Sequence, residues 1–73
     1  MSMTWSDSEE IGIRLYEKMP DQDPLSVRFT DLRDWVCALD DFNDDPQLSN
    51  EAKLEAIQMA WLEEYQDAKE HRS

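Results

Sequence analysis

Carboxylates are the residues through which this chain could do chemistry. Asp7 and Glu10 stand three apart, Asp31 and Asp34 likewise, and Glu51 and Glu55 four apart. On a helix each such pair shares one face. Asp40, Asp41, Asp44 and Asp45 crowd one short stretch, and from Asp34 to Glu51 there are six acids and no base. Oxygen donors of this kind suit magnesium, calcium, manganese or ferrous iron, held weakly with water completing the shell. An EF-hand loop is excluded. Counted from Asp40, the place that needs glycine holds Asp45; counted from Asp41 it holds Pro46, and the final glutamate is replaced by Ala52.

Other chemistries lack their parts. The single cysteine, Cys37, allows no internal disulfide, and no Cys/His cluster with zinc spacing exists. The single histidine, His71, is a poor basis for a triad. One glycine gives no phosphate-cradling loop. Paired carboxylates could act as general acid and base, but that needs an enclosing pocket, which a chain of 73 residues is poorly able to build. No catalytic residue is assigned. Cys37 falls beside the apolar stripe of its helix, among Asp34, Asp40 and Asp41, which should raise its pKa and keep the thiol quiet.

The charge has the same sense throughout. Seven basic residues face eighteen acidic ones, a net of −11. Residues 66–73 are balanced, so the whole excess falls on residues 1–65. Such a field repels nucleic acid and attracts cationic proteins or metal ions. No apolar run reaches the roughly 18 residues of a membrane span, and Met1 to Trp5 does not read as a secretory leader. A cytoplasmic monomer is expected.

Three helices must position these acids. Ser6 and Glu9 fit a capping box for the first, whose face is Ile11, Leu15 and Met19 with Gly12 and Tyr16 beside them. Pro20 should end it. Gly12 costs ~1 kcal/mol against alanine inside a helix, a cost that close approach of another backbone would explain. Asp21 to Pro24 reads as a turn and Val27-Arg28-Phe29 as a short extended piece. Thr30 then reads as the cap of a second helix with Asp31 in its first turn. Leu32, Trp35, Val36 and Leu39 form its buried stripe. Asp40 to Gln47 reads as a loop anchored by Phe42. Ser49 or Asn50 should cap a third helix with the stripe Leu54, Ile57, Trp61, Leu62 and Tyr65, flanked by Ala56 and Ala60. Lys69, His71 and Arg72 suit its C-terminal end. The three tryptophans read as core or core edge. The expected fold is mainly α: one domain over residues 1–65, with 66–73 a fraying helix end or disordered extension.

Particular strings carry more than composition. Trp5-Ser6-Asp7-Ser8, Ile11-Gly12, Leu15-Tyr16, Pro20-Asp21, Asp23-Pro24 and Val27-Arg28-Phe29-Thr30-Asp31 come in that order. Trp35-Val36-Cys37, Asp41 through Gln47, Ser49-Asn50-Glu51, Leu54-Glu55-Ala56-Ile57 and Trp61-Leu62 follow. Over residues 4–64 the chain resembles the IscX family of iron–sulfur cluster assembly accessory proteins. The resemblance implies a small, winged-helix-like, mainly helical fold. It implies a non-enzymatic adaptor that docks by its acidic face on a basic patch of the cysteine desulfurase of the Isc pathway, in competition with a bacterial frataxin homologue. It also implies weakly held, non-structural ferrous iron, and makes the scaffold protein a further candidate partner. The acids within the matching strings are Asp7, Asp31, Asp41, Asp44, Asp45, Glu51 and Glu55, and Glu10, Asp34 and Asp40 are neighbouring acids outside them. The candidate iron ligands are Asp7, Glu10, Asp31, Asp34, Asp41, Asp44 and Asp45. The candidate docking residues are Asp31, Asp34, Asp40, Asp41, Asp44, Asp45, Glu51 and Glu55. Alternatives are an iron donor to the scaffold protein and an acidic DNA mimic. Nucleic-acid binding by a winged-helix-like fold has no basic stripe to work with, since Arg33 is flanked by Asp31 and Asp34.

Overall fold

The computed structural model describes residues 2–72, with the side chains of His71 and Arg72 outside the described set. Three α-helices follow in order: α1 (Ser8–Lys18), α2 (Phe29–Cys37) and α3 (Glu51–Arg72). Short 3₁₀ turns, Pro24–Ser26 and Pro46–Leu48, precede α2 and α3. Among the described residues there is no strand pair, and the mainly α class holds. The β pairing present is an isolated parallel bridge between Met3 and Phe42, so no sheet supports a winged-helix likeness. The Cα radius of gyration is 11.6 Å, close to the roughly 11 Å expected of a compact domain of this length.

Helix α1 packs chiefly on α3. Gly12 makes this possible: a Cβ there would lie 2.7 Å from the Trp61 nitrogen and 2.9 Å from the Ala60 carbonyl carbon. The two backbones touch where a side chain would hold them apart. Ile11 and Leu15 of α1, Leu32 and Val36 of α2, and Leu54, Ile57 and Trp61 of α3 are buried in one cluster. Trp35, half-buried, meets Trp61 edge-to-face with ring centroids 6.3 Å apart. Gln58 of α3 donates from Nε2 to the Pro24 carbonyl at 2.9 Å, fixing the turn before α2.

Several local expectations need correction. The Ser6–Glu9 capping box does not form: α1 begins at Ser8 with Asp7 in the cap position and no side-chain cap bond. Instead Thr4 donates its backbone N–H to Asp7 Oδ2 at 2.9 Å, while Asp7 N–H donates to the Thr4 carbonyl at 3.0 Å. The Asp7 carboxylate is thus drawn back into a turn over Thr4–Asp7 ahead of the helix. Thr30 lies inside α2, which starts at Phe29 with Arg28 as cap residue. Val27 and Arg28 are extended, as expected, but Phe29 is helical. The Asp23 carboxylate accepts from Leu25 N–H and turns the chain just before, which moves the helix start. Asn50 does cap α3, accepting from Lys53 N–H at 2.8 Å. Helix α3 continues without a break through residues 66–72. Lys69 Nζ sits 5.2 Å from the Tyr65 ring centroid.

Candidate functional site

The acidic stretch after α2 is an anchored loop. Phe42 supplies the anchor, as its apolar character predicted, and meets Trp5 edge-to-face at 4.8 Å between centroids. What the sequence did not indicate is the strap on its other side. Met3 N–H donates to the Asp41 carbonyl at 2.7 Å, and Asn43 N–H donates to the Met3 carbonyl at 2.9 Å. The Trp5 indole N–H donates to the Asp45 carbonyl at 2.7 Å, and its backbone N–H to Asp44 Oδ2 at 3.1 Å. Met3 and Trp5 are themselves core residues, 5% and 1% exposed. The N-terminal segment is therefore part of the fold of the loop. Two apolar residues alternating about Thr4 were the available signal.

The candidate acids divide by what their oxygens already do. Asp44 is half-buried and uses both oxygens, Oδ2 for Trp5 N–H and Oδ1 for Asp45 N–H at 2.8 Å. Asp45 accepts from Gln47 N–H at 2.9 Å and so caps the second 3₁₀ turn. Asp7 is occupied with Thr4. These three hold the backbone. Glu10 and Asp41 meet Arg14 at 3.6 and 3.4 Å, loose pairs between exposed groups that contribute little to stability. Asp31, Asp34, Asp40, Glu51 and Glu55 are exposed. Asp31 and Asp34 lie one turn apart on α2, on one helical face.

Among the described residues, no group of three or more His, Cys, Asp or Glu side chains is placed to hold a metal ion. The candidate iron ligands are thus distributed over α1 and its cap, α2 and the loop; Asp31 and Asp34 share a face of α2, whereas Asp7 precedes α1 with its carboxylate on Thr4 and Glu10 meets Arg14. Beside them an open groove of about 320 Å³ is lined by Met3, Arg14, Lys18, Leu39, Asp40 and Asp41, among others. The sequence reading passed over Arg14. It is the cation that reaches across from α1 to the acidic loop.

Cys37 is partly buried at the end of α2. Burial pushes its thiol pKa up, and Asp34 adds to this, while Arg33 opposes both. The expected direction is correct, but desolvation outweighs the acids. No helix among the described residues is long and apolar enough to cross a membrane.

Comparison with known proteins places this arrangement. A family model for iron–sulphur cluster assembly matches residues 3–66, from the strap through most of α3. The chain belongs to the iron–sulphur cluster assembly family. This is the family that the ordered strings resembled. An uncharacterized protein of Pseudomonas aeruginosa is similar, 56% identical over 64 residues that cover 88% of this chain and 97% of that protein. Membership assigns this family member to the assembly of iron–sulphur clusters. The match takes in every candidate acid from Asp7 to Glu55 as well as Met3 and Trp5.

Proposed function

We propose that this family member is a non-catalytic accessory protein whose acidic face docks on a basic surface of the pathway's cysteine desulfurase and modulates it. The observation that carries this reading is the run of acids from Asp34 to Glu51, six with no base among them and all but Asp44 exposed. Asp34 and Asp40 are exposed and make no ion pair among the described residues, and Asp31 extends the charge along α2. A negative surface of this kind raises the encounter rate with a cationic partner and sets orientation more than affinity. Ferrous iron binds the same acids weakly. Distributed carboxylates with water filling the shell give a low-affinity site, which favours a regulatory role over storage or donation. Iron bound there would neutralise charge and change docking.

The test is the anaerobic sulfide-production rate of the cognate desulfurase with its scaffold protein, titrated with this protein at several ferrous iron levels. A saturable change that weakens with salt and depends on iron is expected. A saturable change indifferent to iron would keep the docking and remove the iron response. No change at any ratio would overturn the reading.

A further inference from the structure

We infer that Trp5 and Asp44 are positioning residues of the acidic docking loop, and that they act by holding its shape and not by meeting the partner. The inference rests on the docking reading above and adds how that surface is controlled. Four hydrogen bonds tie Met3 and Trp5 to Asp41, Asn43, Asp44 and Asp45. The indole of Trp5 is 1% exposed, so it has no surface to offer a partner. Its N–H ends on the Asp45 carbonyl at 2.7 Å and its ring lies against Phe42. Asp44 has both oxygens committed to backbone N–H groups, one of them Trp5's. Its carboxylate therefore works inward, although it belongs to the acidic run.

Loop acids that are fixed before contact pay less ordering entropy on docking. The loop from Asp40 to Asp45 contains no helix or strand of its own. Its order comes from a segment about 40 residues earlier in sequence. Releasing that segment would leave every charge in place while the charges lose their arrangement. Long-range steering depends on the number of charges, and the life of the complex depends on their fit. Loss of the clamp should therefore appear in dissociation, and loss of charge in association and its salt dependence.

The experiment measures association and dissociation of the full chain with the desulfurase at two salt concentrations. The variants are Trp5→Phe, Asp44→Asn, Asp44→Ala and the double charge reversal Asp31→Lys/Asp34→Lys. Circular dichroism first checks that each is helical at the assay temperature, and hydrogen exchange at Asn43 N–H reports loop order. Trp5→Phe keeps the ring on Phe42 and removes the indole N–H. It should speed dissociation about five-fold, the value of one net hydrogen bond, with association and its salt dependence unchanged. Asp44→Asn keeps one acceptor, so it can hold Trp5 N–H only by giving up Asp45 N–H, and should dissociate about as fast as Trp5→Phe; Asp44→Ala loses both bonds and should dissociate faster still. Faster Asn43 exchange without faster dissociation would overturn the inference. So would Asp44→Asn behaving as Asp44→Ala while Asn43 stays protected, since charge would then be the cause. Unchanged binding of the double charge reversal would overturn the docking reading itself, and this inference with it.

Discussion

Gly12 of α1 and Trp61 of α3 meet backbone to backbone: a Cβ on Gly12 would stand 2.7 Å from the Trp61 nitrogen. The next nearest atoms, the carbonyl carbon and Cβ of Ala60, are both at 2.9 Å. None of these is the free end of a flexible side chain. The helices must separate if the position is filled, and the core between them opens.

Gly12→Ala should therefore destabilise the fold even though alanine is the better helix former. Overpacking costs about 1–3 kcal/mol, and the propensity gain returns ~1 kcal/mol or less. Thermal unfolding should show a clear fall in the midpoint. A rise would mean that the helices separate at little cost.

The corrected start of α1 predicts an ordering at its cap. Asp7→Ala removes the acceptor of Thr4 N–H and should cost about 1 kcal/mol. Ser6→Ala should stay within about 0.5 kcal/mol, because Ser6 makes no side-chain bond as a cap. Urea titration of both variants decides it, and the reverse order would restore the Ser6–Glu9 box.

Trp5 and Trp61 are equally buried but differ at the indole nitrogen. Trp5 Nε1 donates to the Asp45 carbonyl, while Trp61 Nε1 is buried with no hydrogen-bond partner among the described residues. An unpaired buried donor costs about 1–3 kcal/mol. Replacing Trp61 by Phe removes that cost along with some packing; replacing Trp5 by Phe loses a bond made. Chemical denaturation should show Trp5→Phe as the more destabilised of the two, and the opposite order would refute the contrast.

The helices were legible because each buries one stripe at helical spacing. Ile11 and Leu15, Leu32 and Val36, and Leu54, Ile57 and Trp61 are all in the core. Gly12 was legible as a close approach, and Asn50 as a cap. The strap was not, because Met3 and Trp5 are too few to show a period and their partners lie 39 and 40 residues away. The cap of α1 was misplaced because Ser6-x-x-Glu9 is a valid box locally, whereas the chain turns at Thr4–Asp7 and starts the helix one residue after Asp7. The acids were legible as a set. Which of them face inward was not, since the commitment of Asp44 depends on where Trp5 lies.

Cys37 should react slowly. Burial and Asp34 disfavour the thiolate, so at any pH below the pKa it holds less reactive form than a free cysteine. The iodoacetamide alkylation rate should rise only at more alkaline pH than for a small thiol. Asp34→Asn should speed it and Arg33→Gln slow it, following the signs of their charges. Rapid alkylation at neutral pH would contradict the burial seen at the end of α2.

Charge reversal separates the outward acids from the inward ones. Asp31→Lys/Asp34→Lys changes the net charge by four on exposed positions of α2 and disturbs no hydrogen bond seen there. Its stability should stay near wild type, since relief of like-charge repulsion offsets any lost interaction with the first turn. Its association with a basic partner should slow by about ten-fold or more at low salt, and the difference should shrink as the Debye length falls to about 8 Å at physiological ionic strength. Stopped-flow association across a salt series measures both. Equal rates for wild type and variant at every salt concentration would overturn docking by the acidic face, because a change of four charges alters long-range steering wherever on the surface the contact lies.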